Sequence, residues 1–269
     1  MNAAEIRLNW DRDGFVSPLR VLSAESAQHH RSVMEATEAQ HGKLHYKFKM
    51  HSVLKSPWQI ATNETLLDAV EAILGPNILI YNVCYIVKEA GAATYVSWHQ
   101  DLTYWGLSND HQVSAWVALS PATAEGGCMR MIPGSHKLGR AEHAETDDEN
   151  NALALGQTVL GVDEKASVMT PLQPGEASLH HGWTLHASMP NGSNDRRIGV
   201  NIQYLSTDCR QTMHGEDSAI LVRGVDQFQH FKADAPALRD MHPDDLARRD
   251  ALDQKINDIY QSLSSPRPS

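Results

Sequence analysis

The residues in this chain best placed to do chemistry lie in Val96-Ser97-Trp98-His99-Gln100-Asp101-Leu102-Thr103-Tyr104-Trp105. An imidazole and a carboxylate stand two positions apart, at His99 and Asp101. In an extended strand, side chains at i and i+2 share a face, so both can reach one metal ion. Two ligands hold an ion poorly, and His186 in His181-Gly182-Trp183-Thr184-Leu185-His186-Ala187-Ser188 is the best third. Two His and one carboxylate, with a face of the ion left open, suit non-haem Fe(II) oxygen chemistry.

H-x-D alone is a weak signal, and the chain carries decoys. His242-Pro243-Asp244 repeats it, and His143-Ala144-Glu145 and His214-Gly215-Glu216 match the H-x-E variant. Their surroundings differ. Asp244 opens a helical pattern, His214 flanks a Gly in a polar stretch, and His143 lies in a run of acids. Only His99 and Asp101 are bracketed by the aromatic and β-branched residues of a buried strand end.

Eleven residues beyond His186 comes Arg197, across a turn built from Pro190-Asn191-Gly192-Ser193-Asn194. That turn predicts His186 and Arg197 on adjacent antiparallel strands. An Arg on a pocket wall suits a bidentate pair with a substrate carboxylate, and Arg196 then points the other way. The plainer alternative makes both surface charges.

These residues need a scaffold. From Ile78 onward the pattern predicts strands at about 78–87, 94–99, 113–119, 127–132, 167–172, 176–180 and 198–205. Turn signals separate them, among them Pro133-Gly134-Ser135 and Pro174-Gly175. Many short strands with regular turns imply a β-sandwich or barrel. Ahead of them, Ser23 caps a helix running to about Gln40, and Asn63 caps a second. In that second helix Leu66, Leu67, Val70, Ile73 and Leu74 form one apolar face, which should lie against a sheet. Residues 1–22 read as an arm and a strand, and Lys43 to Val53 as extended. Residues 137–166, rich in Glu and Asp, read as an inserted loop able to act as a lid. The polar tail holds a weak helical period from Asp244 to Leu263.

Composition narrows the function. The 269 residues carry 23 Lys and Arg against 33 Asp and Glu, a net charge of −10, which argues against a nucleic-acid partner. Three cysteines, Cys84, Cys128 and Cys209, with no C-x-x-C pair, fit a reducing cytoplasmic setting. The N-terminus lacks a signal peptide's apolar stretch, and Ile78 to Val87 is too short to span a bilayer. The sequence is silent on oligomeric state.

Taken together, the sequence resembles the phytanoyl-CoA dioxygenase-like family of Fe(II)- and 2-oxoglutarate-dependent oxygenases. The resemblance runs from about Leu74-Gly75-Pro76-Asn77 through Tyr204, about half the chain. It rests on Ser97-Trp98-His99-Gln100-Asp101, Ala115-Trp116, Glu125-Gly126-Gly127-Cys128, Ile132-Pro133-Gly134-Ser135-His136, His186-Ala187-Ser188 and Arg197. It implies a mainly β fold with flanking helices, a double-stranded β-helix of the jelly-roll, cupin-like kind. Within a single domain, a helical part would cover about 1–75, the β-helix about 76–206 and the tail about 207–269. It implies Fe(II) on His99, Asp101 and His186. It also implies that Arg197 and Ser188 hold the distal carboxylate of the cosubstrate 2-oxoglutarate, with Trp116 and Cys84 on the pocket wall. Relatives use a Lys near the N-terminal helices for the same cosubstrate. Lys49 is the choice here, with Lys47 the fallback, and Lys88 follows Cys84 by four. Each has a plainer alternative: Trp116 as core, Ser188 as a local backbone partner, His180 as a rival to His186.

The implied reaction hydroxylates a small-molecule substrate with O2 and releases succinate and CO2. A small polar metabolite is expected: an amino acid, an aminophosphonate or a secondary-metabolite intermediate. A halogenase is disfavoured, because Asp101 fills the position that chloride would need. A non-enzymatic metal-binding barrel and a cupin-type isomerase or hydrolase are the remaining rivals.

Overall fold

The computed structural model describes residues 1–146, 148–153, 157–213 and 216–264, without side chains at 255–257 and 259–264. In chain order the elements are α1 (Ala3–Asp13), β1 (Phe15–Arg20), α2 (Ala24–His41), α3 (Lys55–Ala61), α4 (Glu64–Leu74), β2 (Ile78–Lys88) and β3 (Val96–His99). Then come β4 (Gln112–Ala118), β5 (Met129–Met131), β6 (His143–Glu145), β7 (Gln157–Val159), β8 (Val168–Thr170) and β9 (Glu176–His180). The chain ends with β10 (His186–Ser188), β11 (Arg197–Ser206), β12 (Ser218–Arg223), β13 (Lys232–Ala233) and α5 (Pro243–Ser264).

Two sheets make the body. The major one has the order β1-β9-β4-β11-β2-β12-β13, the minor one β3-β10-β5-β8. Period-2 alternation decides what each face of the major sheet meets. On β11, Ile198, Val200, Ile202 and Tyr204 enter the main core with Val113, Ala115 and Val117 of β4. Helix α4 closes that core with Leu66, Leu67, Val70 and Ile73, and the Tyr204 hydroxyl donates to Ala61 O at 2.7 Å. The opposite face of β11 carries Arg197, Gly199, Asn201 and Gln203 toward the minor sheet. β2 keeps its register with β11 by a bulge: Gln203 faces Asn82 but Tyr204 faces Ile80, so Tyr81 is the extra residue. Past the bulge, Cys84, Ile86 and Lys88 share the inner face. The architecture is the expected double-stranded β-helix with helices packed on one side.

Several local expectations are corrected. Residues 3–13 are helical, not an arm: Asn2 and Glu5 form a reciprocal capping box, and Ile6 and Trp10 are buried. Lys43 to Val53 is not a strand. It makes one bridge, His45 to Tyr85, then a short 3-10 turn at Met50–Ser52. Helix α3 was not anticipated. The 137–166 insertion holds the antiparallel pair β6–β7. His186 and Arg197 are not on neighbouring strands: β10 pairs with β3 and β5, whereas β11 pairs with β2 and β4. The turn between them carries the chain from one sheet to the other, so the two residues approach the same space from opposite walls.

Candidate metal and cosubstrate site

β3 and β10 are antiparallel neighbours in which His99 and His186 are direct partners. Their rings lie 4.0 Å apart by centroid. β3 ends at His99, and the chain turns so that Asp101 swings back between them. Asp101 Oδ1 is 3.5 Å from His99 Nε2 and 3.7 Å from His186 Nε2. One ligand atom from each residue lies within 4.8 Å of the others, a spacing that fits a shared ion.

The neighbours fix these ligands. His99 Nδ1 donates to Ser97 O at 2.8 Å and His186 Nδ1 donates to Thr184 O at 3.0 Å, which leaves each Nε2 lone pair for the metal. Burial lowers the pKa of His186 well below the ordinary imidazole range, keeping it neutral. The other carboxylate oxygen, Asp101 Oδ2, accepts from Ser114 Oγ at 2.6 Å and lies 3.2 Å from His180 Nε2. Burial pushes the Asp101 pKa up, but the hydrogen bond from His180 and the close imidazoles of His99 and His186 outweigh it and hold the group well below the carboxylate range. Asp101 is thus ionised and oriented, with Oδ1 turned toward the two imidazoles where it could take a metal ion.

His180 does not rival His186. β9 ends at His180 in the major sheet, and a turn at residues 181–185 precedes β10 in the minor one, so the strand is broken. His180 instead braces the carboxylate. Sequence reasoning missed that role, and Ser114 with it, because both depend on which sheets face each other.

A cavity of about 540 Å³ opens from the metal end between the two sheets. Arg197, Trp116, Ser188 and Cys84 all line it. Arg197 is 2% exposed, and its guanidinium stacks 4.4 Å from the Trp116 ring centroid. Among the described residues no carboxylate pairs with it, and its Nε has no hydrogen-bond partner. Burial lowers its pKa to about 10, so it remains a cation. Trp116 can lie flat over β11 only because position 199 is Gly: a Cβ there would stand 2.0 Å from Trp116 Cζ2. Cys84 is a buried wall residue whose thiol burial pushes up to about 12, so it is not a thiolate.

Lys49 is placed elsewhere. It is wholly buried, but its ammonium binds Tyr81 O and, at 2.6 Å, Ser218 O, and stands 3.8 Å from Asp217. It fastens the tail strand β12 to β2 and does not line the cavity; nor does Lys47. The physical reason is the left-handed backbone at Lys49 (φ 55°), which turns the side chain under the sheet edge. Lys88 is the register partner of Arg197. It is 2% exposed and donates to Ser188 Oγ at 2.7 Å, to Ser188 O at 3.2 Å and to Met189 O. With its oxygen already accepting from Lys88, the Ser188 hydroxyl has its own proton to give to a ligand.

Of the decoys, His143 and His242 do not line the cavity. His143 Nε2 accepts from the Gln100 backbone, and His242 sits at the start of α5. His214 and Gly215 lie outside the described residues.

The family description "Phytanoyl-CoA dioxygenase (PhyH)" matches residues 10–199. A probable alpha-ketoglutarate-dependent hypophosphite dioxygenase of Stutzerimonas stutzeri is 28% identical over 171 residues, 61% of this chain and 59% of that protein. The peroxisomal phytanoyl-CoA dioxygenase of Homo sapiens is 27% identical over 160 residues, 58% of this chain and 47% of its own. The matched segment therefore spans about half the length of these relatives. Among solved structures, the apo form of the non-haem monooxygenase ThoJ superposes with a TM-score of 0.84 at 30% identity, covering 96% of this chain and 99% of that one. Its nickel complex gives 0.77 at 29%, covering 94% and 98%. With the match extending over well more than half its length, the chain belongs to the phytanoyl-CoA dioxygenase family of non-haem iron and 2-oxoglutarate oxygenases.

Proposed function

We propose that this chain is an Fe(II)- and 2-oxoglutarate-dependent dioxygenase that hydroxylates a small molecule, with residues 1–269 working as one oxygenase domain. One observation carries the reading. A buried cluster of two imidazoles and one carboxylate shares a cavity with a buried guanidinium that, among the described residues, has no carboxylate of its own. A desolvated cation costs several kcal/mol unless an anion meets it, so the cavity is built for an anionic ligand beside a metal.

The roles follow from the contacts. His99, Asp101 and His186 would hold the iron and leave part of its coordination sphere open. Arg197 would take the distal carboxylate of 2-oxoglutarate by a two-point pair. Ser188, set by Lys88, would add a hydroxyl donor, and Trp116 would keep the guanidinium flat. When bound, iron and 2-oxoglutarate supply the oxidising chemistry: the cosubstrate is decarboxylated to succinate and CO2 as O2 is spent on hydroxylating the substrate. The aromatic and aliphatic walls exclude water from that end.

The test is succinate formation from 2-oxoglutarate by the iron-loaded chain, run beside Asp101→Ala. Turnover by the parent and none by the variant is expected, together with weakened Fe(II) retention. Metal uptake without 2-oxoglutarate consumption would favour a metal-binding barrel. Unchanged turnover by Asp101→Ala would remove the ligand assignment.

A further inference from the structure

The cavity extends past the metal, and its charge inventory is short. Among its described lining residues the charged side chains are Asp101 and Arg197, apart from the imidazoles of His99, His180 and His186. On the oxygenase reading, on which this argument rests, iron claims Asp101 and the cosubstrate claims Arg197. His180 Nε2 is committed to Asp101 Oδ2. An ammonium, carboxylate or phosphonate on the substrate, once buried there, would therefore meet no counter-charge among the described lining residues, which is costly.

What remains on the walls has one character. Tyr46, Phe48, Tyr104 and Trp105 bring four rings to the cavity, and Leu153 of the insertion adds an aliphatic side. Rings of this kind favour a flat partner, by offset or edge contact. The polar groups on these walls are the Tyr46 and Tyr104 hydroxyls and the amides of Asn201, Gln203 and Gln254. On the inner face of β11, Gln203 lies six residues from Arg197, roughly 20 Å along the strand. Its register partner on β4 is Ser114, whose hydroxyl holds Asp101. Gln203 is thus tied to the metal end, and its amide can both donate and accept.

We propose that the substrate is an uncharged molecule with a flat aromatic or fused-ring system, whose carbonyl or hydroxyl hydrogen-bonds to the Gln203 amide beside the metal. Of the classes expected from the sequence, this selects a ring-bearing secondary-metabolite intermediate over an amino acid or an aminophosphonate.

Equilibrium dialysis of the full chain tests it, with Fe(II) and 2-oxoglutarate under nitrogen and again without them. The probes are 2-naphthol, L-tryptophan and 2-aminoethylphosphonate. In the loaded state 2-naphthol should bind and the two charged probes should not, although L-tryptophan carries a comparable ring. Trp105→Ala should weaken 2-naphthol about tenfold, one aromatic contact's worth. Gln203→Leu, which keeps the side-chain volume, should weaken it while leaving 2-oxoglutarate uptake unchanged. Either charged probe binding more tightly than 2-naphthol would overturn the proposal. So would 2-naphthol binding that is absent, or indifferent to both substitutions in folded protein. Loss of 2-oxoglutarate uptake with normal 2-naphthol binding would instead overturn the oxygenase reading and leave the ring preference standing.

Discussion

At the level of single residues, Arg196 and Arg197 separate two jobs that composition cannot tell apart. Arg197 faces the cavity with no carboxylate partner among the described residues. Arg196 points outward and donates to Glu38 Oε2 at 2.7 Å and Glu89 Oε2 at 2.9 Å, tying α2 to the end of β2. Losing a desolvated bidentate pair costs roughly 2–5 kcal/mol, on the order of 30- to 3,000-fold in affinity. Arg197→Ala should weaken 2-oxoglutarate binding by that factor while Fe(II) binding hardly moves. Arg196→Ala should leave 2-oxoglutarate affinity alone and lower the melting temperature instead. Calorimetric titration of both variants decides it, and reversed effects would put the register of β11 in error. Ser114 offers a finer test, because it touches Asp101 and would not touch the metal. Removing such an outer partner typically weakens metal affinity about 10- to 100-fold, the loss expected of Ser114→Ala in a competitive chelator assay. An unchanged affinity would mean that His180 alone orients the carboxylate.

At the level of elements, the 137–166 insertion is pinned to the metal strand more firmly than a free loop would be. Gln100 Nε2 donates to Gly139 O at 2.8 Å, the Ala141 N–H donates to Gln100 Oε1 at 2.7 Å, and Ser97 Oγ donates to Gln157 O at 2.7 Å. Asn151 Nδ2 reaches Ser97 Oγ at 3.0 Å, and Ala152 and Leu153 then form cavity wall. A ligand in the cavity therefore touches the insertion directly. Limited proteolysis within 137–166 should slow when Fe(II), 2-oxoglutarate and a substrate are bound. Equal cleavage in both states would reduce the insertion to a surface hairpin. The same elements show what was legible in the sequence. β4, β11 and α4 announce themselves because seven to eleven residues are enough for a period of 2 or 3.6 to stand out. β5 and β8, three residues each, fall within the strands expected at about 127–132 and 167–172, but β10, also three residues long, shows no period of its own, so His186 was found by its chemistry and its sheet was misjudged. α1 was missed although its capping box lies in plain view, since only Ile6 and Trp10 mark its buried face. Lys49 could not be read at all: its left-handed backbone and its partners from β12 are set by tertiary packing.

For the molecule as a whole, the fold that aims these side chains also buries many groups that titrate near neutrality. Burial holds His45 and His181 down to about 4, and lowers His30, His51, His136 and His143 as well. His45 shows the cause in its contacts: Nδ1 accepts the Val87 N–H at 3.0 Å, and a proton there would end that bond. The unfolded chain takes up these protons below about pH 6.5, whereas in the folded chain His45 and His181 refuse theirs until about pH 4. Their contribution is therefore fully present above pH 6.5 and is lost as the pH falls from there to 4. For a group like His45 it is at most about 3 kcal/mol. Lys88 acts in the same direction over a higher window. Burial first, and then Arg197, lower it from 10.5 to about 6, so its contribution grows as the pH rises from 6 toward 10.5. The metal-free protein, melted with chelator present so that metal binding does not mix in, should gain melting temperature at each step from pH 5 to pH 8. His45→Gln keeps an acceptor near Val87 and removes the titration, so it should flatten the part of the slope below pH 6.5 and leave the part above it. A melting temperature level from pH 7 down to pH 5 would mean that these imidazoles are solvated in the folded protein, and the segment that carries His45 and, beside it, the cavity-lining Tyr46 would then be more open than the structure has it.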